Sequence, residues 1–384
     1  MNQSRSAAYF RASDWWIGKA SALLALVYGY ALWFSLPFMV FLPLAGASLI
    51  TIIGFAMLGY QLNDWYDQSQ DALSGKSNMF SGKSAITAAG YFFLALLLIF
   101  LPWLFLPFDR LSMVLITMQL LAFFLYAHPL TRWKEKPFLG MITDTLYAHV
   151  LPTLLSLYTF SLAAEKSVPP IIYFLLTAAQ FVNGLRNILL HRLADAEADK
   201  AAGVFNEMIT ANQQHMFRLA SFLVPVEGLC AGGWLYFFLS DHHWLWLVFS
   251  LFALLLYGLS FLQQHLQQMP VLRKLNWSHF PNFLWEWGLS FLFLIALIQA
   301  DKLFLLLAFF HLLLFYGAET GDYLSRVVEK SYHFFLTYLF YPGKKGLSFL
   351  VNYTIYYFMR LLGVDLVREN TTFLGYWRRK RKDS

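Results

Sequence analysis

The chain has 384 residues, of which 59% are hydrophobic, 19% aromatic and only 13% charged. Soluble domains average about 25% charged residues, so this composition excludes a soluble enzyme and implies a polytopic membrane protein. The net charge of +6 therefore bears on topology, and a nucleic-acid partner is not expected. Cys230 is the only cysteine, so no intrachain disulfide forms and helix packing must hold the fold.

Residues 1–18 carry Arg5, Arg11 and Asp14 without a small-residue cleavage site, which reads as a cytoplasmic arm and not a signal peptide. A helix needs about 20 apolar residues to cross the hydrocarbon core. Windows of that kind fall near 19–36, 38–62, 86–107, 110–128, 138–162, 168–190, 215–239, 243–262, 282–300 and 302–318. Asp301 and Lys302 alone separate the last two, which read as a ninth and tenth span or as one broken segment. The expected fold is all-α, a transmembrane bundle over 19–318. A basic, aromatic tail follows over 319–384. Its apolar runs Tyr332–Tyr341 and Leu347–Leu362 are interrupted by charge or tyrosine, which reads as interfacial.

Positive charge sets orientation. Ten spans leave only Arg110, Lys166 and Lys302 opposite the remainder of the 28 Lys and Arg. Nine spans would put the basic tail on the wrong side. The N-terminus, the 128–137 loop and the segments after the second and sixth spans are then cytoplasmic, with the bacterial inner membrane as the expected location.

Those two segments carry the least expected residues in the chain. After the second span comes Asn63-Asp64-Trp65-Tyr66-Asp67, continuing to Asp71, Gly75 and Lys76. After the sixth comes Asp195, then Asp199 and Gly203. Both read Asp-x3-Asp-x3-Gly, offset by 128 residues, which points to two similar four-helix halves over roughly 38–160 and 168–300. Residues four apart share a helical face, drifting by about 40° per step. Asn63, Asp67 and Asp71 should project together, as should Asp195 and Asp199, with each glycine ending its helix. Carboxylates four apart repel, and acids near a helix C-terminus oppose its dipole, each at up to about 1 kcal/mol. A solvated loop face would explain either turn alone; the paired recurrence argues for function. Clustered oxygens suit Mg²⁺ shared with substrate phosphates, and two such clusters would hold two ions around one diphosphate. Neither turn has the His and Cys ligands of a zinc site.

The first turn resembles the Asn-x3-Asp-x3-Asp motif of the UbiA superfamily of intramembrane prenyltransferases, and the second resembles that superfamily's Asp-x3-Asp motif with its trailing glycine. The spans before each motif, two and six, also agree. The resemblance covers roughly residues 15–300. It implies nine core helices around a central cavity, and transfer of a prenyl group from a prenyl diphosphate to a small lipophilic, most often aromatic, acceptor. It implies Asn63, Asp64, Asp67 and Asp71 on one Mg²⁺–diphosphate face and Asp195 and Asp199 on the other, the four later aspartates being the catalytic set. Lys76 meets the family's basic residue after the first motif. Asn187 and His191 stand where the family often has tyrosine and lysine, leaving Arg186 and Arg192 as the nearest cations. The 126–136 stretch, with Tyr126, Arg132 and Lys134, resembles the element that caps the cavity. Breaking an allylic C–O bond requires stabilisation of the leaving charge and a dry pocket, with aromatic faces to steady the cation. Thirteen Trp, 21 Tyr and 39 Phe make such a lining available.

Outside the motifs, Asp144 lies within the fifth span, as an acceptor-binding group or a structural partner of Tyr147 or Thr143. Glu227 and Glu286 read as snorkelling acids, His149 as bonded to a backbone carbonyl, His242 and His243 as a solvated turn. Arg378–Lys382 reads as an anchor for anionic lipid. Competing functions are transfer of another group, such as phosphoribosyl, onto a polyprenyl phosphate, and an ion-coupled transporter. Transporter sites lie near the midplane on broken helices, whereas these acids follow the spans beside basic residues. The continuous Asp-Gly-x2-Ala-Arg lead-in of CDP-alcohol phosphotransferases is missing at both turns.

Overall fold

A computed structural model describes residues 15–74, 78–136, 138–202, 213–266 and 280–315. The chain divides into two compact units, Met1–Phe309 and Phe310–Ser384. Of the second unit only the end of one helix is described; the 319–384 tail and the arm before Trp15 lie outside the described residues. No strand occurs among the described residues.

Ten helical bodies match the ten apolar windows in order: α1 (Gly18–Phe34), α2 (Phe38–Ser74), α3 (Ala85–Phe100), α4 (Arg110–Ala127) and α5 (Leu139–Ala163), then α6 (Pro170–Ala202), α7 (Gln213–Phe238), α8 (His243–Leu266), α9 (Pro281–Ala300) and α10 (Phe304–Phe315). Local chemistry sets their ends. Ser84 caps α3 by accepting from the Thr87 N–H at 3.2 Å. Asp109 and Ser112 cap α4 reciprocally, satisfying donors that have no partner within the helix. Extended backbone at Asp301 separates α9 from α10, so the last apolar pair is two helices. Among the described residues α2, α3, α4, α5, α7 and α9 are long and apolar enough to cross a bilayer, and α1, α8 and α10 include shorter apolar stretches. The protein is an integral membrane protein.

Side-chain exposure follows from lipid on one side and helices on the other. Along α3, Ala88, Ala95 and Ile99 are buried while Ile86, Phe93, Leu97 and Phe100 face outward. Packing against α2 is close at Gly54, where an added Cβ would lie 2.7 Å from the Ile99 nitrogen; small residues at such contacts let backbones approach within lipid. Phe55, Leu58, Ile99, Ile116, Phe123 and Leu155 then close a core among α2–α5.

Helices α2 and α6, of 37 and 33 residues, are the longest described. At 1.5 Å per residue they reach about 50 Å or more, well beyond a core of about 30 Å. Their final turns therefore carry the acidic residues past the hydrocarbon. Their described ends, Ser74 and Ala202, immediately precede Gly75 and Gly203, which lie outside the described residues.

Helix α6 departs from the expected apolar span: it is not among the helices apolar enough to cross by composition. It buries Gln180, Asn183 and Arg186. Arg186 is fully buried and donates to both carboxylate oxygens of Glu227 on α7, at 2.6 and 3.2 Å. It also donates to Asn183 at 3.0 Å, Asn187 at 3.2 Å and Asn282 of α9 at 2.7 Å. Trp285 donates to Glu227 at 2.5 Å. Glu227 is thus no snorkelling acid but the counter-ion of a buried arginine. The bidentate pair, completed by three carboxamides and an indole, satisfies charges that lipid could not.

Removing one member of such a pair leaves an unpaired buried charge. Glu227→Ala should lower stability in detergent micelles by about 3–5 kcal/mol, and the double change Arg186→Met with Glu227→Leu by clearly less. Equal losses would show that packing, not charge pairing, dominates there.

Candidate active site

Unbroken helix to Ser74 puts Asn63, Asp67 and Asp71 on successive turns of one α2 face. The Asn63 Oδ1 is buried without a hydrogen-bond partner. Asp67 is gripped by two cations: Lys134 Nζ on one oxygen and Arg132 at 3.3 Å on the other. The Arg132 guanidinium also donates to Gln70 at 2.8 Å and Glu135 at 2.5 Å. Asp71 accepts from the Asn78 amide at 2.7 Å, and the same amide nitrogen donates to the Asp64 carbonyl at 2.7 Å.

Asp64, expected among the metal ligands, has a different position. It is buried, and its carboxylate accepts from the Met79 N–H at 3.0 Å. The side chain therefore clamps the loop after the first turn against α2. Its neighbour Asn78, which no motif pointed to, ties that loop to Asp71.

On the second turn, His191 Nε2 lies 3.5 Å from an Asp195 oxygen one helical turn away, and both are well exposed. Asp199 falls within α6, but its side chain, like Lys76, lies outside the described residues. Arg192 donates to the Lys134 carbonyl at 3.1 Å and hydrogen-bonds Tyr126. The approach is tight: a Cβ on Gly140 would lie 2.6 Å from Arg192 Nη2 and 2.8 Å from the Trp133 carbonyl. A glycine there lets the arginine pass under the loop.

Residues 128–136 therefore form a strap across both halves. Through Arg132 and Lys134 it grips the first turn; through the Lys134 carbonyl it holds the second. Arg132, at φ 42°, is left-handed, as is the φ of 60° at Phe138, conformations that cost non-glycine residues about 1–3 kcal/mol. Burial lowers the Lys134 pKa, while Asp67 opposes that shift. The lysine is thus a poorly hydrated cation, suited to an anionic partner.

Inward from Arg192, Tyr126 hydrogen-bonds Tyr147, and Tyr147 donates to Asp144. Asp144 has the tyrosine partner considered from sequence, at the end of a polar chain from the strap. His149 has the Gln180 side chain as a hydrogen-bond partner. Arg186 and Asn187, considered as diphosphate ligands, are turned into the network around Glu227. Beside that network α1, α5, α6 and α9 enclose a cavity of about 20 Å³ whose walls include His149, Gln180, Asn183 and Asn282. Its wall is mixed, with Leu23, Leu26 and Trp285 beside the polar residues, and Trp285 is its only aromatic carbocycle. A larger opening of about 390 Å³, lined by Trp33, Ser35, Asp241 and Asp301, lies at the opposite helix ends and is remote from the acidic turns.

Among the described residues no three His, Cys, Asp or Glu side chains group closely enough to hold a metal alone. The donor set still fits Mg²⁺ shared with a phosphate. The unpartnered Asn63 oxygen and the Asp67 carboxylate are hard ligands, and a diphosphate would supply the others.

No protein-family model and no curated protein sequence matches the chain. Its structure is similar to that of a UbiA homolog from Archaeoglobus fulgidus bound to GPP and Mg²⁺, with a TM-score of 0.52 at 17% identity, covering 76% of this chain and 99% of the other. A second structure of that homolog gives 0.50 at 16% identity, over 78% and 99%. A digeranylgeranylglyceryl phosphate synthase gives 0.50 at 16% identity, over 77% and 97%. The chain has the fold of the UbiA homologues.

Proposed function

We propose that this protein transfers a prenyl group from a prenyl diphosphate to an acceptor within the membrane, using Mg²⁺. The observation that carries this reading is the strap: two cations close on Asp67 while the same segment is bonded to Arg192 beside Asp195. A diphosphate is the guest that such an arrangement of acids and cations accepts. The fold supports the reading, because a structure sharing it is bound to GPP and Mg²⁺.

In the reaction, the bond between the prenyl C1 and the diphosphate oxygen breaks, and diphosphate leaves with the electron pair. The acceptor's nucleophilic atom bonds to C1 and releases its proton. Asn63, Asp67 and Asp71, with Asp195 and Asp199, would hold Mg²⁺, which would supply neutralisation of the leaving charge. Arg132, Lys134 and Arg192 exchange their present partners for phosphate oxygens, with Tyr126 orienting Arg192 and the exposed His191 beside Asp195; Lys76 is a further cation for the diphosphate. Asp64 supports the site by holding the 78–80 loop. The distribution of Lys and Arg supports a cytoplasmic position for this end of the bundle. The transporter reading has the acidic turns bind cations, but the basic partners already on Asp67 favour a phosphate-bearing substrate.

With labelled geranyl or farnesyl diphosphate and Mg²⁺, the wild-type protein in lipid nanodiscs should label a membrane lipid extract. Asp67→Ala and Asp195→Ala should each lower that labelling by about 100-fold or more, as loss of a charge-stabilising group does elsewhere. Either variant turning over normally would remove the site assignment. Mg²⁺ and prenyl diphosphate together should raise Tm and chelation should reverse the shift; a response only to sodium or a proton gradient would favour transport. Gly140→Ala should displace Arg192 and the Trp133 carbonyl of the strap and lower transfer by about tenfold or more. Wild-type transfer in that variant would show that the strap contact is incidental.

A further inference from the structure

The opening at the helix ends remote from the acidic turns has no part in prenyl transfer, and its walls combine negative charge with aromatic surface. Its volume of about 390 Å³ falls within the range of small-molecule sites, about 300–1,000 Å³. Asp241, Asp301, Ser35 and Ser240 line it together with Trp33 and Phe238, whose rings stack with centroids 5.1 Å apart. No lysine or arginine among the described residues is on its wall. Lys166, a cation of the same end of the bundle, donates to the Phe34 carbonyl at 3.0 Å. Asp241 and Asp301 form no ion pair with a described residue. One Asp301 oxygen caps the start of α10 by accepting from the Leu303 N–H at 3.0 Å, and that role leaves the second oxygen unexplained.

Helix ends add to the negative field. Helices α1, α7 and α9 all finish at this opening, at Phe34, Phe238 and Ala300, and each helix C-terminus carries roughly half a negative charge. Carboxylates beside such ends oppose the dipole, so Asp241 and Asp301 stand where stability alone does not favour them. A metal ion does not account for the two acids. His242 shares their wall, yet among the described residues no three His, Cys, Asp or Glu groups stand close enough to hold an ion. The guest must be larger than a metal and positively charged. We infer that the opening binds an organic ammonium group. Its N–H donors go to Asp241, Asp301 and the serine hydroxyls, and aromatic rings attract the same charge, which gives Trp33 its part on the wall. A phosphatidylethanolamine headgroup and a free aliphatic amine both present that group.

The test uses the full-length protein in detergent micelles and its double variant Asp241→Asn with Asp301→Asn. The variant keeps the α10 cap, because an asparagine oxygen also accepts at a helix start. Tm is followed against short-chain phosphatidylethanolamine, short-chain phosphatidylglycerol, ethanolamine and Ca²⁺. Phosphatidylethanolamine should raise the wild-type Tm, and phosphatidylglycerol, which lacks the ammonium, should not. Half-saturation of the double variant should need a concentration higher by about tenfold or more. An ethanolamine shift with the same dependence on the two acids assigns the site to a soluble amine; a shift with the lipid alone assigns it to the headgroup. The inference is overturned if neither ammonium compound raises Tm, if the double variant responds as wild type does, or if Ca²⁺ gives the only response that the variant loses. Mg²⁺ with prenyl diphosphate should shift both proteins equally, so failure of this site and failure of prenyl transfer are read separately.

Discussion

The contact between the 128–136 strap and Asp67 is the interaction on which the candidate site depends. Asp67 takes Lys134 and Arg132 from the strap, whose Lys134 carbonyl takes Arg192 from α6. One short segment thereby links helices whose acidic turns are 128 residues apart in sequence. Phosphate oxygens in place of the Asp67 carboxylate would keep both cations paired, so the strap can exchange one anionic partner for another. The left-handed backbone at Arg132 is the local strain expected of a segment placed for function and not for stability.

The interior pair works the other way. Arg186 and Glu227 are fully buried and bonded on all sides, so neither is exchangeable. Their role is to fix Asn183, Asn187 and Asn282 at the cavity wall. From the strap a polar line runs inward from Arg192 through Tyr126 and Tyr147 to Asp144. The helix bundle sets the separation of the two regions.

Much of this was legible in the sequence because its periods are local. Hydropathy placed ten helices, and four-residue spacing put Asn63, Asp67 and Asp71 on one face, since both depend on nearest turns. Contacts between distant residues were not legible. Asp64 looks like a ligand until the 78–80 loop folds back on it. Glu227 looks like a surface acid until α7 meets Arg186, 41 residues earlier, and Asn282 meets it from 96 residues away. A signal did exist for the cavity wall: Gln180, Asn183 and Asn187 recur at helical spacing within α6, a polar stripe that averaging over a window conceals.

The most direct test of the account is a structure of the protein with Mg²⁺ and a non-reacting geranyl thiolodiphosphate. The account predicts a diphosphate between Asp67 and Asp195, with Arg132 and Lys134 moved from Asp67 to phosphate oxygens. A diphosphate bound elsewhere, or bound with both cations still on Asp67, would contradict it.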